Sequence, residues 1–112
     1  MNDLIPDKYR EDEELIRLTI EQLRKDFGSH FPELHFSGQK DQLFRELTVQ
    51  VAETLKEIKR TNPVFLKVIL YQVDVPESES NRLKDQKDCF SLAEIIIQRE
   101  FKKVITRRFF AG

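Results

Sequence analysis

Residues 62–75 read Asn-Pro-Val-Phe-Leu-Lys-Val-Ile-Leu-Tyr-Gln-Val-Asp-Val, and the way this stretch folds decides between two fold classes. Val64, Val68, Ile69, Val73 and Val75 favour a strand, because branched side chains pack well on a pleated surface. Phe65, Leu66, Ile69, Leu70 and Val73 nevertheless recur at helical spacing and form one apolar stripe on a coil. Two features favour the helix. Asn62 is a good N-cap and Pro63 a good first helical residue. No strong partner strand appears elsewhere, and a lone strand leaves its backbone N–H and C=O groups unpaired. The reading is therefore an all-α domain, a compact bundle of four main helices with an ordered connector. A small α+β domain with a strand near 64–75 is the alternative.

The flanking sequence agrees with the helical reading. Upstream, Leu43, Phe44, Leu47, Val51, Leu55 and Ile58 are spaced by three and four, which predicts a helix over Lys40–Arg60 with Glu53, Glu57, Lys56 and Arg60 on its solvated face. Earlier still, Ile16, Ile20, Leu23 and Phe27 share a face of a helix predicted over Glu11–Phe27. Acids crowd its first turn and Gly28 stops it. Between these helices, residues 29–38 contain Pro32 and Gly38 and lack helical period. Phe31, Leu34 and Phe36 are too apolar for a free linker, so this connector is expected to tuck against the helices, with 34–36 extended.

Residues 74–90 are polar and predict a short helical stretch followed by a mobile loop. The last helix is expected to begin at Ser91 with a capping box closed by Glu94, and to run to about Phe109. Leu92, Ala93, Ile95, Ile96, Ile97, Phe101, Val104 and Ile105 cover so wide an arc that this helix belongs at the centre of the bundle. All of residues 1–112 read as one domain, with 1–10 and 110–112 as flexible ends.

Length and charge bound the function. The chain has 112 residues and 13.4 kDa, with 19 Lys plus Arg against 20 Asp plus Glu. That is enough chain for a real core without metal or disulfide staples. The near balance of charge lacks the large field of a dedicated nucleic-acid or membrane-surface binder. Charge is uneven along the chain, however. Residues 1–14 hold six acids and two bases, whereas residues 91–112 hold two acids and five bases. Cys89 is the single cysteine, which points to a reducing, cytoplasmic setting. The charged N-terminus lacks the apolar core of a signal peptide, and the longest apolar runs are far too short to span a bilayer.

Catalytic and cofactor signals are absent from the sequence. His30 and His35 stand five apart without the paired ligands of a zinc site. With glycine only at 28, 38 and 112, no phosphate-cradling glycine loop exists. The acidic runs at 12–14 and 77–79 lack calcium-loop chemistry. Cys89 sits at a helix entrance, where a thiol pKa is lowered; a reactive thiol is one reading and a half-buried structural thiol the duller one. No cofactor, metal or enzymatic activity is expected.

The C-terminal helix carries the strongest functional hint. Arg99, Lys103 and Arg107 are four apart and stack along one side, with Lys102 beside them and Arg108, Phe109 and Phe110 following. These seven residues are the candidate partner-binding set. Cations beside aromatics can grip RNA or single-stranded DNA, while the plainer reading is a solvated face whose last-turn cations suit the helix dipole. Ile95, Phe109, Leu15 and Leu18 fall outside the main apolar arcs and suggest a strip for another protein or a second copy of this chain. The leading expectation is a non-enzymatic interaction or adaptor module that avoids membranes, with weak nucleic-acid binding as the alternative.

The stretch Leu70-Tyr71-Gln72-Val73-Asp74-Val75-Pro76, followed by Ser91-Leu92-Ala93-Glu94-Ile95-Ile96 and Arg99-Glu100, resembles small bacterial proteins with no assigned function. The resemblance covers the second half of the chain and implies a helical fold and no activity.

Overall fold

Asp12 opens the first helix by accepting backbone hydrogen bonds at Oδ1 from Glu14 and Leu15, both at 3.1 Å. Two of the amides that a helix start leaves without internal partners are satisfied in this way. The computed structural model describes residues 12–83 and 89–110, the last two by backbone alone. Helix α1 spans Glu13–Phe27, with Glu13 and Glu14 in the first turn, where the dipole favours acids. Gly28 stops it as expected. Its φ of 59° lies in the left-handed region that side chains disfavour, and a single 3-10 turn, Gly28–His30, follows.

The connector is ordered by its neighbours rather than by a ladder of its own. Gln50 reads both backbone groups of His35, accepting from its N–H at 2.8 Å and donating to its carbonyl at 2.9 Å. Phe31 meets Phe27 edge-on at 5.5 Å, and Phe31 and Leu34 pack onto the core. A 3-10 turn at Lys40–Gln42 leads into α2, Leu43–Thr61.

Helix α3, Pro63–Val73, resolves the ambiguous stretch. Asn62 serves two helices at once: its N–H donates to the Ile58 carbonyl at the end of α2, and its Oδ1 accepts from Phe65 at the start of α3. Among the described residues there is no strand, so the all-α reading holds and the α+β alternative does not. The helix stops two residues before Val75. Asp74 turns left-handed at φ 68°, and the Val75 amide returns 2.9 Å to the Leu70 carbonyl. Paired with the Asp74 to Tyr71 bond, this is a Schellman closure.

The short helix expected in the polar segment is α4, Glu77–Leu83. Helix α5 runs from Phe90 to Phe110. Ser91 is therefore inside the helix, and the first helical bond runs from the Ala93 N–H to the Cys89 carbonyl at 2.9 Å. The mobile loop expected within residues 74–90 falls in part on 84–88, which lie outside the described residues, as do the expected flexible end 1–10 and residues 111–112 of the expected flexible end 110–112, while Phe110 closes α5.

Helix α5 is the central element and packs most extensively on α1 and α2. Its Leu92, Ala93, Ile96 and Ile97 meet Leu23 and Phe27 of α1, Val51, Leu55 and Ile58 of α2, and Ile69 and Val73 of α3. A second cluster joins Leu15 and Ile16 to Phe101 and Val104. Each such large side chain, fully buried, contributes about 1.5–3 kcal/mol. Leu15 is part of this core, and Leu18 and Ile95 are half-buried against it, so these three supply no free apolar strip. They are consumed because α1 and α5 each pack on more than one neighbour.

Candidate functional site: a cationic cleft and an apolar helix face

Arg99, Lys103 and Arg107 succeed one another at every fourth position of α5, and Lys102 and Thr106 form the adjoining row. The structure brings all five to one cleft of about 330 Å³, completed by Val73 and Asp74 at the end of α3. Four of the seven predicted residues therefore converge. Arg108 does not join them. It borders a separate cleft with Leu18, Glu21, Gln22, Lys25 and Val104, to which Arg107 also contributes. Phe109 and Phe110 close α5, and their side chains lie outside the described part.

Two cations of the first cleft are held in place by other helices. Lys103 Nζ donates to the Gln72 carbonyl at 3.2 Å, so it sits where the α3 dipole favours positive charge. Arg107 donates to Gln22 Oε1 of α1 at 2.9 Å. Arg99 approaches Asp74 Oδ2 at 3.8 Å, across a well-exposed carboxylate.

Beneath this row lies Glu100, 0% exposed. The buried hydroxyls of Thr19 and Thr48 donate to the carbonyls of Leu15 and Phe44 four residues earlier. Among the described residues, only the carboxyl oxygens of Glu100 are buried side-chain atoms without a hydrogen-bond partner, although Lys103 Nζ lies 3.2 Å from Oε1. Burial pushes the Glu100 pKa up to about 8, the neighbouring Asp26 carboxyl pushes it the same way, and Lys103 opposes both. Glu100 is thus largely protonated at neutral pH.

The sequence signal for Glu100 was present but reads first as charge. Position 100 lies four residues after Ile96 and four before Val104, on the arc that the helix buries.

The second feature lies on α3. Val64, Val68 and Tyr71, at i, i+4 and i+7, are 71%, 42% and 87% exposed. They are what remains of residues 62–75 once Phe65, Leu66, Ile69, Leu70 and Val73 have turned toward the core. A helix this apolar has more greasy surface than one face can bury. Beside Tyr71, a groove of about 440 Å³ runs between α3 and α4, lined by Lys67, Leu70, Val75, Glu77, Ser80 and Asn81.

The remaining candidates stay apart. His30 stacks on Phe65 with ring centroids 4.4 Å apart, and His35 is engaged through its backbone by Gln50. Cys89 is buried at the start of α5. Among the described residues no three His, Cys, Asp or Glu side chains gather as metal ligands. None of the helices among the described residues is long and apolar enough to cross a membrane. Comparison with protein-family models, curated proteins and solved structures finds no match to this chain.

Proposed function

We propose that this domain is a non-enzymatic protein-binding module that docks its partner on the outer face of α3 and the adjoining α3–α4 groove. The observation that carries the reading is the exposed row Val64, Val68 and Tyr71. Scattered apolar residues on a surface need no explanation, but three aligned on one helix face beside a groove with an apolar floor form a site of the kind that partners cover. Tyr71 is suited to be the anchor, since a rigid amphipathic ring gives contact area at little entropic cost. Lys67 and Glu77 on the groove walls favour a partner segment whose apolar side chains are flanked by charges of both signs. The single cysteine supports a partner met in a reducing compartment such as the cytoplasm.

Affinity capture from source lysate with the wild-type chain, with Val68→Asp and Tyr71→Ala, and with Glu53→Gln on the exposed face of α2 tests the reading. A discrete protein should be retained by the wild type and by Glu53→Gln and lost from the two α3 variants. Truncating a central aromatic anchor typically costs 2 kcal/mol or more, about thirtyfold in affinity. Sedimentation velocity identifies a second copy of this chain as the partner if the α3 variants alone abolish a dimer. Equal retention by all four proteins, or a monomer that retains nothing, contradicts the proposal.

A further inference from the structure

We infer that the cleft between the end of α3 and the second half of α5 binds a small phosphate-class dianion, free or as the phosphoryl group of a small ester. This site is separate from the α3 docking face and stands or falls independently of it.

The cleft has the chemistry such a group requires. Among the described residues, Arg99, Lys102, Lys103 and Arg107 line it with one acid, Asp74, and the Thr106 hydroxyl adds a neutral donor. Two guanidinium forks can each meet a pair of phosphate oxygens, while the two ammonium groups act as point charges. Arg99 and Lys103 are only 29% and 32% exposed, so their charges are partly withdrawn from water and act more strongly on a ligand than fully solvated cations. Preorganisation helps further: Gln72 holds Lys103, and Gln22 holds Arg107, before any ligand arrives.

Glu100 beneath the row is the apparent objection, because a carboxylate 3.2 Å from Lys103 would neutralise it. Burial and Asp26 remove that objection by keeping the Glu100 carboxyl largely protonated at neutral pH. Lys103 lines the cleft beside a carboxyl whose charge is thereby reduced.

Size selects a small ligand over a polymer. A volume of about 330 Å³ lies at the lower end of small-molecule sites. It accommodates a phosphoryl group and a modest organic remainder over Val73, not a run of nucleotides. The chain also carries one more acid than base, where nucleic-acid modules are usually basic overall.

The test is a titration of the full chain at constant ionic strength and pH 7 with inorganic phosphate, with adenosine 5′-monophosphate and with a ten-nucleotide single-stranded DNA, followed by the arginine Nε–H signals in 15N-resolved NMR. Saturable shifts of Arg99 and Arg107 are expected with phosphate or the monophosphate, and their relative affinities tell the free from the esterified source. The double variant Arg99→Gln, Arg107→Gln should weaken binding at least tenfold with unchanged circular dichroism. Arg60→Gln, on an exposed turn of α2, should leave it unchanged. Shifts that stay linear for both small ligands would overturn the inference. So would saturation indifferent to the double variant, or tighter binding of the oligonucleotide through the same arginines.

Discussion

The Lys103 ammonium lies 3.2 Å from Oε1 of Glu100, a carboxyl with no exposed surface. The pair is a poor ion pair in a costly place. Removing a carboxylate from water costs several kcal/mol, and the attraction of one cation does not restore it, so the proton stays on Glu100 well above its ordinary range.

Stability should therefore fall with rising pH in a window set by Glu100. In the unfolded chain the group titrates near 4.5 and in the folded chain at about 8. Its contribution is fully present below 4.5, declines as the pH rises, and is lost above 8. The neutral isostere Glu100→Gln is free of this decline. Urea unfolding at pH 5 and pH 8 should show the variant gaining on the wild type by a few kcal/mol between the two values. A difference that does not change with pH would contradict the burial argument.

Asp74 closes α3 in the left-handed region at φ 68°, a conformation that Asp and Asn tolerate and β-branched residues do not. Its contact with Arg99 at 3.8 Å is exposed and worth little. Asp74→Asn should leave the melting temperature nearly unchanged, whereas Asp74→Val should cost about 1–2 kcal/mol. Equal melting temperatures for the two variants would show that the Schellman closure at Val75 is not what ends α3.

Cys89 is 3% exposed at the entrance to α5. A thiol shielded in this way should react with iodoacetamide more slowly than free cysteine in the native protein and at the ordinary rate in urea, as mass spectrometry would record. Native alkylation faster than free cysteine would identify a reactive thiol instead.

Much of the architecture was legible because the apolar spacing and the helix ends agree. Gly28, the Asn62-Pro63 pair and the broad apolar arc of α5 all act as their chemistry suggests, and Asn62 decided the helix over the strand at 62–75. The start of α5 was misplaced because Ser91 and Glu94 make a plausible capping box, while the chain enters the helix one residue sooner through Cys89. The convergence of Arg99, Lys102, Lys103 and Arg107 was visible as spacing. Their closure against Val73 and Asp74 was not, since it depends on where α3 ends in space. The exposed row Val64, Val68 and Tyr71 was hidden for a related reason: periodicity shows which residues share a face, but which face is left uncovered depends on the packing of α1, α2 and α5.

The most direct test of the docking face is site-specific photo-crosslinking in cells, with a benzophenone side chain replacing Val68 or Tyr71 on α3, or Glu53 on α2 as the control. The account predicts one discrete crosslinked species from positions 68 and 71 and none from position 53. No adduct at 68 and 71, or the same adducts from all three positions, would contradict it.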